Sequence, residues 1–118
     1  MQNYRKLLVW QKAHEFVSNI YENTKGFPRD ELYGITSQLR RASVSISANI
    51  VEGAGRKTRS DFARFLTISL GSTNEVEYFL ILSKDLNCIS MDEYTGLADR
   101  LVELRKMLSS LAAKVRSI

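Results

Sequence analysis

Over residues 94–118 a large apolar side chain returns every three or four positions: Tyr94, Leu97, Leu101, Leu104, Leu108, Leu111, Val115 and Ile118. On a helix these line one stripe, whereas on a strand they would scatter to both faces. Ser90-Met91-Asp92-Glu93 has the form of a capping box just ahead of the stripe. Ile89 and Tyr94 stand where a hydrophobic staple would close the first turn. The spacing therefore predicts a helix over residues 91–118. A helix with one apolar stripe must bury it against other elements.

Three further helices are expected to do so. The chain has one proline, Pro28, and most of its six glycines fall near element boundaries. The first helix is predicted over residues 9–25, with Val9, Ala13, Phe16, Val17, Ile20 and Thr24 on one face; Gly26-Phe27-Pro28 ends it. The second covers residues 30–52, with Leu32, Ile35, Leu39, Ala42, Ile46 and Ile50 in helical register. Val44, Ile46, Ala48 and Ile50 also alternate as a strand would, but the helical register runs twice as far. The third covers residues 58–86 and opens on a second capping box in form, Thr58-Arg59-Ser60-Asp61. Its stripe is Phe62, Leu66, Ser69, Thr73, Val76 and Leu80, widened by Phe65 and Phe79. Gly71-Ser72 in its middle costs a helix about 1 kcal/mol relative to alanine, which a close helix crossing would explain. Four amphipathic helices with short connections describe an all-α, up-down-up-down four-helix bundle, a single domain over residues 1–118.

A chain of 118 residues, 44% hydrophobic and 25% charged, can bury a core without covalent staples. Cys88 is the only cysteine, so no internal disulfide forms and a reducing cytoplasm is the expected setting. No apolar run approaches the ~20 residues of a membrane span, and no membrane partner is expected. Near the start, Gln11, Lys12, His14 and Glu15 interrupt the apolar residues too early for a signal peptide. The net charge of +4 and pI near 9.4 are compatible with a nucleic-acid partner without requiring one.

Enzyme chemistry has little to build on, and neither a catalytic residue nor a cofactor is expected. His14 is the only histidine, so one chain cannot assemble a His/Cys metal cluster, nor the paired Glu-x-x-His motifs of a di-iron bundle. Gly53-Ala54-Gly55-Arg56-Lys57-Thr58 shares its Gly/Lys/Thr residues with a phosphate loop but lacks the spacing and the preceding strand. Ser43, Ser45 and Ser47 have no neighbouring base to activate them.

The candidate functional residues are cations. Arg40 and Arg41 are adjacent on the second helix and point about 100° apart, so both cannot face the core. They either pair with Glu52, Asp61 or Glu75, across the bundle or between subunits, or meet phosphate. Arg56, Lys57, Arg59 and Arg64 cluster around the next connection, whose glycines let backbone approach a partner closely. A phosphate is expected to suit that cluster and the positive end of the third helix. Asn49 borders the apolar stripe and is expected to have a structural role, with Glu52 one turn on as its partner. Tyr4, Trp10 and Tyr21 suit packing better than stacking on bases. Beyond the stripes lie Val44, Ile68, Phe79, Ile81, Ala98, Val102 and Met107. A bundle this small cannot bury them all, so an apolar band and self-assembly are expected.

One resemblance spans nearly the whole chain. Leu8-Val9-Trp10-Gln11-Lys12-Ala13, Phe27-Pro28 and Glu31-Leu32-Tyr33-Gly34 carry its first half. Gln38-Leu39-Arg40-Arg41-Ala42, Ser45-Ile46, Asn49-Ile50 and Glu52-Gly53 carry its most specific part. Phe65-Leu66 and Gly71-Ser72 with Glu75 complete it. In these the chain resembles the 23S ribosomal RNA intervening-sequence proteins. It also looks like the accessory protein of diversity-generating retroelements. The resemblance implies a homo-oligomeric ring, a pentamer, of four-helix bundles, engaging nucleic acid, RNA or DNA, or another protein such as a reverse transcriptase. The rival expectation is a protein-interaction scaffold with no direct nucleic-acid contact.

Overall fold

A computed structural model describes residues 2–117 and shows four helices: α1 (Leu8–Thr24), α2 (Ile35–Ala54), α3 (Arg59–Asp85) and α4 (Met91–Arg116). Short 3-10 turns precede α1 (Tyr4–Lys6) and α2 (Arg29–Glu31), and no strand occurs among the described residues. Each helix packs against two neighbours, α1 against α2 and α4, and α3 against α2 and α4. The result is a bundle 45 Å long and 23 by 20 Å across.

The stripes read from the sequence form the core. Ile20, Ile46, Ile50, Leu66, Val76 and Leu108 have no accessible surface, and Leu39, Leu80, Leu101 and Leu104 almost none. Burying each such side chain contributes about 1.5–3 kcal/mol. Ile46 and Ile50 are buried while Val44 and Ala48 are exposed, so the strand alternative for α2 is excluded. Ile118 lies outside the described residues.

The helix ends follow local chemistry. Ser90 Oγ accepts the Glu93 N–H at 3.1 Å while Glu93 Oε1 accepts the Ser90 N–H at 3.0 Å, completing the capping box of α4. These hydrogen bonds favour the ionised carboxylate and hold the Glu93 pKa below its usual value. The second box is half formed: Thr58 Oγ1 accepts the Asp61 N–H at 3.1 Å, but the Asp61 carboxylate turns to Arg64 instead, at 3.6 Å. Between α3 and α4, Asn87 takes a φ of 59°, a left-handed conformation that asparagine tolerates. The Cys88 and Asn87 N–H groups return to the carbonyls of Ser83 and Lys84, a Schellman closure.

Two expectations are corrected. The second helix begins at Ile35, not at residue 30. Gly34 breaks the run with φ −108° and ψ −115°, and Leu32, expected on the buried stripe, is exposed. Gly71 is not at a close crossing, because a Cβ there would meet nothing within 4 Å. The tight approach is at Gly53, where a Cβ would lie 2.8 Å from Phe65 Cβ and 3.0 Å from Phe62 Cδ1.

Candidate nucleic-acid interface

The up-down-up-down path carries four chain segments to one end of the bundle. The backbone N–H of Gln2 donates to the Ala54 carbonyl at 2.7 Å, fixing the segment before α1 against the last residue of α2. The α2–α3 connection follows directly, and Arg116 in the last turn of α4 donates to Thr67 Oγ1 of α3. These segments bring Arg5 and Lys6, Arg56 and Lys57, Arg59 and Arg64, and Lys114 and Arg116 together, eight cations against two acids, Glu52 and Asp61. The remainder of the 17 basic and 13 acidic residues is nine and eleven, so the rest of the chain is slightly acidic. A net charge of +4 thus conceals strong polarity.

The four loop cations differ in how firmly they are held. Arg56 pairs with Glu52 at 3.3 Å and lies over the Phe65 ring at 4.7 Å. Arg64 pairs with Asp61 and lies over the same ring at 4.6 Å. Phe65 is thus a platform that orients two guanidiniums, each such contact worth about 0.5–1 kcal/mol at an exposed site. Lys57 and Arg59 are exposed and make no ion pair or side-chain hydrogen bond among the described residues. Arg59 stands between two clefts. One, of about 240 Å³, is lined with Arg56 and Lys57; the other, of about 620 Å³, with Arg64 and Arg116. The α3 N-terminus itself suits a phosphate less well than expected, because Thr58 occupies one first-turn N–H and Asp61 places a negative charge there. Side chains, rather than the helix end, make this surface positive.

Arg40 and Arg41 lie towards the other end of the bundle, apart from that cluster. Neither pairs with Glu52, Asp61 or Glu75 within the chain. Arg40 Nε donates to Thr24 Oγ1 at 2.8 Å and Nη2 to the Tyr21 carbonyl at 3.5 Å, with the guanidinium 4.7 Å over the Tyr21 ring. It therefore holds the Thr24 hydroxyl and the Tyr21 carbonyl in the last turn of α1 and ties α1 to α2. Arg41 is exposed and has no such partner among the described residues. Asn49 does not use Glu52 either. Its Nδ2 donates to the Ser45 carbonyl at 2.8 Å and to Ser45 Oγ at 3.1 Å, while Glu52 pairs with Arg56. Ser45 Oγ meets Ser72 Oγ at 2.8 Å, and Ser69 Oγ donates to the Ile46 carbonyl at 2.7 Å. Ser45 of α2 and Ser69 and Ser72 of α3 thus link the two helices through hydroxyls, whereas the Ser43 and Ser47 hydroxyls donate to carbonyls of α2 itself.

Trp10 stacks on His14 at 5.0 Å and meets the Tyr4 ring edge-on at 5.1 Å, so its ring is engaged within the chain. Arg105 binds Thr73 through Nε at 3.2 Å and Glu77 through Nη1 at 3.2 Å, a clamp between α3 and α4 that no local pattern signals. Burial pushes the Cys88 thiol pKa up, with Glu31 adding to it, so the reactive thiolate is disfavoured. No cluster of three potential metal ligands occurs among the described residues.

Fold and surface together define a four-helix bundle with one strongly basic end. The model of the family described as "23S rRNA-intervening sequence protein" matches residues 5–110, and the chain belongs to that family. A solved structure from Bacteroides thetaiotaomicron, described as a protein with unknown function from the S23 ribosomal protein family, superposes with a TM-score of 0.84. It is 30% identical, and the match covers 90% of this chain and 96% of that one. No curated protein matches the chain. No helix among the described residues is long and apolar enough to cross a membrane.

Proposed function

We propose that this protein is a non-enzymatic, cytoplasmic homo-oligomer whose basic end binds RNA or another nucleic acid. The observation that carries this reading is the polarity of charge: eight of the 17 basic residues meet at one end with two acids between them. Lys57 and Arg59 are the principal phosphate contacts, because neither must give up an existing ion pair. Arg56 and Arg64 stay oriented on Phe65 and add to the field, as do Arg5, Lys6, Lys114 and Arg116. Arg41 is an outlying contact, and Arg40 holds the helices that present it.

Self-assembly rests on the apolar residues that the bundle leaves outside, with Val44, Ile68, Ile81 and Val102 each between 38% and 42% exposed. A ring of such bundles, a pentamer, would repeat the basic end around an axis and concentrate a polyanion there.

The test is binding of the purified protein to a labelled structured RNA across a salt series, with the triple variant R56A/K57A/R59A alongside. Each lost phosphate contact should flatten the log–log salt slope by about one, so the triple variant should lose up to about three with helicity and mass unchanged. Unaltered binding would remove these residues from the site. No RNA binding by the parent protein even at low salt would favour a protein-interaction scaffold.

A further inference from the structure

A second surface lies beside α1 and α4 and has a different character. Leu7, Leu8, Val9, Met107 and Leu111 line a groove of about 440 Å³ there, with Lys106 and Lys114 on its rim and no acidic residue in its lining. Leu8 is 59% exposed, although α1 has other positions facing the core. Three charges of α4 are matched across helices, Arg100 with Glu15, Glu103 with Lys12 and Arg105 with Glu77, while Asp92, Asp99 and Arg116 form no ion pair among the described residues. Lys106 and Lys114 have no such partner among the described residues. Lys114 suits the last turn of a helix. Lys106 lies well inside α4, where the helix end gives it no such reason.

We infer that this groove docks an acidic amphipathic helix of a partner protein. Its floor is aliphatic and thioether, the lining that accepts leucine-type side chains at three/four spacing, and methionine lets such a groove adapt. It offers no aromatic ring on which a nucleobase would stack. The two lysines are eight residues apart on α4, or about 12 Å along its axis. A helix lying alongside therefore meets both with carboxylates seven or eight residues apart, flanking its apolar stripe. Charge complementarity selects the partner, and burial of Leu8 and Met107 holds it.

The probe is a labelled 18-residue helical peptide with a leucine stripe flanked by glutamates at that spacing. Twins carry glutamine or lysine in place of glutamate, and binding is followed by fluorescence anisotropy on the full chain. The glutamate peptide should bind at least tenfold more tightly than the glutamine twin. K106E/K114E should abolish that preference and favour the lysine twin, and Leu8→Glu should remove binding of all three. Both variants change exposed side chains, and circular dichroism checks that each keeps its helicity. Equal affinity for the three peptides, or a preference unchanged in K106E/K114E, would overturn the inference. So would loss of RNA binding in Leu8→Glu, which would assign the groove to nucleic acid, or a change of particle mass in Leu8→Glu, which would assign it to a second copy; competition by RNA alone is expected, because Lys114 also faces the basic end.

Discussion

The two ends of the bundle use arginine in opposite ways. Towards the α1–α2 connection, Arg40 is held by Thr24, the Tyr21 carbonyl and the Tyr21 ring, so its charge is committed to joining two helices. At the α2–α3 connection, Lys57 and Arg59 stand free of any such partner among the described residues, beside two arginines laid on Phe65. A basic motif in sequence therefore says little about function until the partners of each cation are known. Arg40-Arg41 is the more conspicuous pair in the chain, yet half of it is a structural brace.

Substitutions should separate the two ends, with stability and affinity responding differently. The largest effect on stability is expected from Gly53→Val. Its Cβ would lie 2.8 Å from the Phe65 Cβ, an atom that cannot swing aside, so the cost falls at or above the upper end of the about 1–3 kcal/mol typical of overpacking. Because Phe65 also carries Arg56 and Arg64, that variant should lose RNA affinity as well, making it the one change that couples both properties. Thermal unfolding and RNA titration on the same sample check this; a fully stable variant would mean that α2 and α3 separate there without strain.

Arg40→Ala should come next. It removes a charged hydrogen-bond donor from a half-buried site, and such bonds contribute about 1.5–3 kcal/mol. Unfolding temperature should fall while the salt slope for RNA stays as in the parent. A lost slope with unchanged stability would reverse the roles assigned to the two ends.

The smallest effect is expected at the far end, where α4 begins. Ser90→Ala removes an N-cap worth about 1 kcal/mol. Glu93 adds a pH signature. Its pKa is lowered in the folded state, so its contribution is present above the unfolded value and is lost as pH falls through the folded one. The parent should therefore lose a little stability on acidification below the ordinary glutamate range, and a Glu93→Gln variant should lack that component. Denaturant unfolding at neutral and acidic pH measures the difference.

The sequence made the start and the stripe of α4 legible, because its cap and its three/four spacing depend on neighbours within a turn; its end falls at Arg116, ahead of the expected residue 118. It placed the other three helices too, except where Gly34 delays the start of α2. What it left hidden depends on distance. Gly53 and Gly71 look alike in sequence, and only the position of Phe65 on the next helix tells them apart. Arg105 finds Thr73 and Glu77 from 32 and 28 residues away, and Arg40 finds Thr24 from 16. Arg56, Lys57, Arg59 and Arg64 could be marked because they are adjacent in the chain. Arg5, Lys6, Lys114 and Arg116 join them through bundle topology, so four of the eight cations were unmarked. An up-down-up-down path already implies this, since it returns the start of α1 and the end of α4 to the α2–α3 connection.

The most direct test of the polarity is a charge-matched comparison. R56A/K57A/R59A at the basic end and K25A/R29A/R41A at the other remove the same formal charge. Both would be titrated with one structured RNA across the same salt series. The basic-end triple should lose most of the affinity and up to about three units of slope, while the far-end triple loses at most about one, through Arg41. Equal losses in the two triples would show that net charge alone attracts the RNA and that the basic end is not a site.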